Sequence, residues 1–139
     1  KHGIFNQTPD SHLKGMGCPV CRSSKGENKI FNFLKKNNII FIQQKIFKEC
    51  KNLETNRVLR FDFYIPTRNL LIEYDGKQHF VGGCKLGDFI CNDNNFKSIR
   101  KRDEIKNQYV KDNNINLLRI NYKNINKIDD ILKSYLSLK

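Results

Sequence analysis

The stretch Arg60-Phe61-Asp62-Phe63-Tyr64-Ile65, followed by a short turn and then by Leu71-Ile72-Glu73-Tyr74-Asp75, constrains this chain more than any other. It reads as two β-strands with acids set among Phe, Tyr, Ile and Leu. Side chains on a strand alternate between faces. Asp62 then points away from Phe61, Phe63 and Ile65, while Glu73 and Asp75 share a face opposite Ile72 and Tyr74. Pro66-Thr67-Arg68-Asn69 supplies a turn, so the strands are expected to pair as a hairpin and bring three carboxylates together. Carboxylates a few ångströms apart repel one another unless a cation joins them. An all-oxygen set suits Mg²⁺, or Mn²⁺ in its place, which is held by one or two carboxylates and keeps waters for a phosphate. Lys77 and His79 keep the parity of Glu73 and Asp75 if the strand runs on past Gly76, and either can orient or deprotonate a water. The competing reading is a solvated acidic hairpin, and the apolar setting of the acids argues against it.

Around this hairpin the periodicity predicts a helix, three strands, a helix, a strand and a helix. Ser24 and Glu27 match a capping box. The helix they open carries Ile30, Phe33 and Leu34 at three-to-four spacing and ends near residue 37. Residues 39–47 read as a strand, 48–58 as a polar loop, and 59–65 and 70–75 as the hairpin. Residues 80–94 hold several Gly and polar residues and read as a mobile loop. A charged helix over about 95–113 carries Phe96, Ile99, Ile105 and Tyr109 near one stripe. A short strand at 116–120 and an amphipathic helix at 128–138 complete the chain. An α/β fold with a mixed sheet flanked by helices follows. No run approaches the roughly 18 apolar residues that span a bilayer, so no membrane role is expected.

Asp62, a ten-residue interval and then Glu73 resemble the bipartite motif of PD-(D/E)XK nucleases. The string FDFYIPTRNLLIEYDGKQH looks most like the branch related to very-short-patch-repair and phage homing endonucleases. The resemblance covers roughly residues 24–120 and implies a restriction-endonuclease-like core that cuts DNA. It implies that Asp62, Glu73 and Asp75 hold Mg²⁺, and that an acid on the first helix, here Glu27, joins the site. Glu27 is thereby asked to serve both as a cap and as a site acid. One position departs from the motif: its Lys, two residues after the Glu, is Asp75 here. Lys77, or Lys106 within Arg102-Asp103-x-x-Lys106 on the later helix, stands in for it. The segment NINLLRI resembles that branch's last core strand, with Arg119 read as a surface or phosphate-contacting cation.

Residues 1–24 form a segment apart, rich in Gly, Pro, His and Cys and without periodicity. Cys18-Pro19-Val20-Cys21 is a zinc knuckle, flanked by Gly15 and Gly17. With His2 and His12 it completes four ligands for a structural Zn²⁺. The segment resembles a treble-clef-like unit found upstream of such nuclease domains in large viruses and phages. Relatives often carry a Cys just before the first His. Either His12 is the fourth ligand, or the chain, which opens on Lys rather than Met, is a fragment lacking one. The domain division is therefore 1–24 for the zinc module and 25–139 for the nuclease core. Cys50, Cys84 and Cys91 have no matching partners. Five Cys, two of them in this knuckle, fit metal binding in an intracellular, reducing compartment rather than a disulfide framework.

The 139 residues hold 26 Lys and Arg against 14 Asp and Glu, a net charge of +12. Such an excess fits a polyanionic partner, although a Lys- and Asn-rich codon bias produces it as well. Lys97, Arg100 and Lys101 on the later helix, with Arg119, are expected on the DNA backbone. No small-molecule cofactor is called for. The alternative function is a zinc-containing nucleic-acid-binding module with an inactive nuclease core. For the zinc segment, the expected content is about one zinc per chain, lost on Cys18→Ser, because the site supplies the folding energy of so small a unit. Metal analysis that finds Cys18→Ser fully zinc-loaded overturns the ligand set.

Overall fold

The structure, a computed structural model, describes residues 23–80, 85–86, 89–90 and 93–138. The zinc segment, with His2, His12, Cys18 and Cys21, lies outside the described residues. Helix α1 (Lys25–Lys36) opens with both halves of the capping box. Strands β1 (Ile42–Asn52), β2 (Arg57–Ile65) and β3 (Leu70–Asp75) follow. A small ribbon of β4 (Lys85–Leu86) and β5 (Phe89–Ile90) lies in the stretch expected to be a loop. Helix α2 (Asp93–Asp112), strand β6 (Asn116–Asn121) and helix α3 (Ile128–Tyr135) complete the order. Among the described residues no helix is long and apolar enough to cross a membrane.

The main sheet runs β1-β2-β3-β6. The first three strands are antiparallel neighbours, and β6 pairs parallel to β3. A parallel partner requires a crossover, and α2 supplies it. Leu70, Ile72, Leu118 and Ile120 face the cluster built with Ile30, Phe33 and Leu34 of α1 and Ile128 and Leu132 of α3. Leu71 and Leu117 face the other way, onto Ile105, Tyr109 and Val110 of α2. The result is three layers: two helices, the mixed sheet and one helix.

Two departures from simple alternation shape what comes next. Phe61 packs in the α2 cluster while Phe63, two residues on, packs in the α1/α3 cluster. The face thus changes at Asp62, so Asp62 does not stand opposite a common row of Phe61, Phe63 and Ile65. Across the ladder, Gln44 takes a positive φ of 53° between the pairs Gln43↔Phe63 and Lys45↔Phe61. Second, β1 and β2 run on through most of the polar stretch expected as a loop, with only residues 53–56 between them. Buried Cys50 and half-buried Phe47 anchor that extension on α2. The polar composition of 48–58 reflects the solvent side of a ribbon rather than a loop.

Asn56, Asn69 and Asn114 take φ values of 44–52° at their turns, a left-handed conformation that Asn tolerates better than most residues. Gly26 is demanded by packing instead. A Cβ built there meets the Tyr74 ring at 2.1 Å. Gly26→Ala is therefore expected to push Tyr74 off α1 and cost about 1–3 kcal/mol. Denaturant midpoints check this, and an unchanged midpoint would contradict the contact.

Candidate active site

The site forms where β2 and β3 part. Their ladder runs from Ile65↔Leu70 to Phe63↔Ile72. In the same register the next residues across are Asp62 and Glu73. Instead of a ladder bond, the Asp62 carboxylate accepts the backbone N–H of Tyr74 at 2.8 Å. A side chain thus replaces the strand neighbour and fixes its own carboxylate at the mouth of the gap. Glu73 is 4% exposed, and its Oε1 accepts from Lys106 Nζ at 2.8 Å. Lys106 also lies 5.0 Å from the centroid of the Phe61 ring, a cation–π contact.

Asp62, Glu73, Lys106 and Glu27 line one cleft of about 660 Å³, together with Arg60, Tyr74, Gln78, His79, Arg102 and Asp103. Glu27 closes the capping box and also lines the cleft. Its Oε1 accepts the Ser24 N–H of the capping box at 3.2 Å, while its charge acts on Asp62. Burial, then the neighbouring Glu73 and Glu27 carboxylates, push Asp62 up to about 8. Burial also raises Glu73, against the opposing charge of Lys106. Two carboxyl groups held this way, with one ammonium bound to Glu73, are short of positive charge. That deficit and the all-oxygen donor set fit a hard divalent cation.

Asp75 shares the face of Glu73 but belongs to a second set of partners. Arg119 stands level with Glu73 in the parallel register, and its Nη1 donates to Asp75 at 2.7 Å. It also reaches Asp103 of α2 at 3.3 Å. His79 Nδ1 lies 2.8 Å from Asp103 and 3.7 Å from Asp75. Burial opposes ionisation of Asp103, yet the His79 hydrogen bond and the Arg119 charge outweigh it and hold the carboxyl below its ordinary range. Burial likewise works against the Arg119 charge, but Asp75 and Asp103 raise it overall. Asp75, His79 and Asp103 place ligand atoms within 4.8 Å of one another, a spacing compatible with a divalent ion. Arg119 already supplies both carboxylates with a positive charge.

Several residues sit elsewhere than sequence reasoning placed them. Strand β3 ends at Asp75, and Lys77–His79 is a 3-10 turn after Gly76. Strand parity stops there, leaving Lys77 exposed and outside the cleft lining while His79 turns back to Asp75. Arg119 is no surface cation. The parallel pairing of β6 carries it inside, against two carboxylates. Lys101 is ion-paired to Glu54 outside the cleft lining, whereas Lys97 and Arg100 are exposed on α2. Asp103 was missed, although the sequence carries a signal for it. Ile99, Asp103, Lys106 and Val110 recur at helical spacing, and this is the stripe that α2 turns inward. Two charged residues on an inward stripe mark a site.

No protein-family model and no curated protein matches the chain. Among solved structures, the chain is similar to the catalytic domain of the homing endonuclease I-Bth0305I. The TM-score is 0.46 and the identity 18%, over 83% of this chain and 93% of that one. This is a likeness in outline, and the chemistry rests on the side chains described above.

The raised Asp62 gives a pH signature. Its carboxyl protonates at about 8 in the fold and near 4 in an unfolded chain. The stability gained from that proton is complete below about pH 4 and lost as pH climbs through about 8. A divalent ion needs the ionised form, so Mg²⁺ or Mn²⁺ is expected to raise the melting temperature more at pH 8 than at pH 6. Asp62→Asn should stabilise the metal-free chain at pH 8 and abolish the metal-induced rise. Thermal melts with and without metal check both signs.

Proposed function

We propose that this chain is a divalent-metal-dependent endonuclease domain of the PD-(D/E)XK type, hydrolysing phosphodiester bonds in DNA. The observation that carries this reading is the salt bridge from Lys106 to Glu73, with Asp62 across the hairpin. The motif's expected Lys, two residues after Glu73, is Asp75. Helix α2 brings Lys106 Nζ to 2.8 Å from Glu73 Oε1 from the other side. The carboxylate–carboxylate–ammonium combination is thereby assembled from a different part of the chain.

In this reading Asp62 and Glu73 hold Mg²⁺ or Mn²⁺, with Glu27 as a supporting acid at the cleft wall. When bound, the ion polarises the phosphate and lowers the pKa of a water. Lys106, anchored to Glu73 and the Phe61 ring, is restricted in swing. Its Nζ orients a water or phosphate oxygen and offsets the growing negative charge. His79 is the second candidate for handling a proton. With Asp103 engaging Nδ1, Nε2 is the atom available to accept one. Asp75 is assigned to the Arg119–Asp103 network rather than to the ion. The zinc segment remains a structural appendage in this proposal, and a homing or mobile-element role is proposed from the family resemblance alone.

Asp62→Ala, Glu73→Ala and Lys106→Ala are each expected to lower the Mg²⁺-dependent cleavage rate of duplex DNA by about 100-fold or more while leaving binding largely intact. Chelation should abolish cutting by the intact chain. Should the intact chain cut no DNA with Mg²⁺ or Mn²⁺, the nuclease reading falls and the nucleic-acid-binding module takes its place. Offering RNA beside DNA settles the substrate.

A further inference from the structure

The cations assigned to phosphate contact on sequence grounds are not the ones facing the candidate active site. Arg119 is bound internally to Asp75 and Asp103, and Lys101 is paired with Glu54. Lys106 is tied to Glu73. Two strong bases remain on the cleft lining, Arg60 and Arg102. Neither has a carboxylate partner among the described residues, and both are exposed. Arg60 projects from β2, two residues before Asp62, and stands opposite Ile46 of edge strand β1. Arg102 projects from α2, one turn before Lys106. Its Nε donates to the Ser98 carbonyl at 3.2 Å, which steadies the root of the guanidinium and leaves its terminal nitrogens for another acceptor. Strand wall and helix wall each present one unneutralised guanidinium beside a cleft whose lining also carries four acids, Glu27, Asp62, Glu73 and Asp103, against the single further ammonium of Lys106.

An acidic cleft repels a polyanion unless its rim attracts one. Guanidinium is suited to that task because its planar fork matches two phosphate oxygens at once. We propose that Arg60 and Arg102 form a two-sided clamp on the nucleic-acid backbone. They would grip phosphates flanking the one presented to Asp62 and Glu73, and so hold the strand at the cleft. This clamp rests on the phosphodiesterase reading for its purpose, but as a binding device it is measurable separately.

The test uses the full chain and a fluorescein-labelled duplex DNA of mixed sequence, with binding followed by anisotropy over a salt series in EDTA. Each phosphate contact contributes roughly 0.9 to the slope of log affinity against log salt. Arg60→Gln/Arg102→Gln is expected to lower that slope by about 2 and weaken binding roughly tenfold or more. Arg68→Gln/Lys133→Gln removes the same charge from exposed positions outside the cleft, and should leave the slope nearly unchanged. In Mg²⁺ the clamp variant should raise KM with little change in kcat, and the Mg²⁺-induced rise in melting temperature should persist. Arg60→Lys/Arg102→Lys should restore the slope but not the full affinity, because an ammonium lacks the fork. Equal slopes for the clamp variant and the intact chain overturn the clamp, whether or not the chain cuts. A reduced slope in a chain that never cuts retains the clamp and removes the nuclease.

Discussion

Two carboxyl groups set side by side, Glu73 buried and Asp62 half-buried, are the constraint from which the rest of this molecule follows. Asp62 and Glu73 are level with each other on neighbouring strands, at the point where the ladder between those strands stops. Hydrogen-bonded pairing would have continued there at no electrostatic cost. Instead the Asp62 side chain takes the Tyr74 N–H, and Lys106 leans in from the helix layer to Glu73. A fold optimised only for stability would replace this group with apolar residues, since buried ionic clusters seldom repay their desolvation. Two acids and one base kept in such a place are what the proposed metal-dependent phosphodiesterase reading rests on.

The cluster is built into the core rather than laid over it. Tyr74 receives Asp62 through its backbone, and its ring lies directly on Gly26 of α1. One residue further along, Glu27 both closes the capping box and raises Asp62 electrostatically. The start of α1, the end of β3 and the middle of β2 are therefore set by one group of contacts. On the opposite layer, Arg119 links β3, β6 and α2 through Asp75 and Asp103. The site is held from both faces of the sheet, which suits chemistry that depends on sub-ångström placement.

The element order and the hairpin were legible because their signals are local. The capping box at Ser24 and Glu27 is one, and the turn at Pro66-Thr67-Arg68-Asn69 between two apolar strands is another. Juxtaposing Asp62 with Glu73 needed only the shortness of that turn. What the sequence hid depends on distance. Nothing near Arg119 announces that a parallel neighbour will set it beside Glu73, so a cation on a terminal strand reads as a surface contact. Strand parity misplaced Lys77, because a 3-10 turn after Gly76 resets the direction of every later side chain. Parity also failed at Asp62, where the change of face between Phe61 and Phe63 is a property of the paired strands and of Gln44 across from them. The inward stripe of α2 could be seen, but it was sought among apolar residues, and half of it is Asp103 and Lys106.

The parallel placement of β6 has a consequence for how the chain comes together. Glu73 waits 33 residues for Lys106, and Asp75 waits 44 for Arg119. As the polypeptide emerges, the acidic hairpin is made first and stands uncompensated until the crossover helix and its following strand arrive. Its own repulsion disfavours early compaction at that spot. Completion of the cleft therefore waits for the segment from α2 to β6, which carries both Lys106 and Arg119.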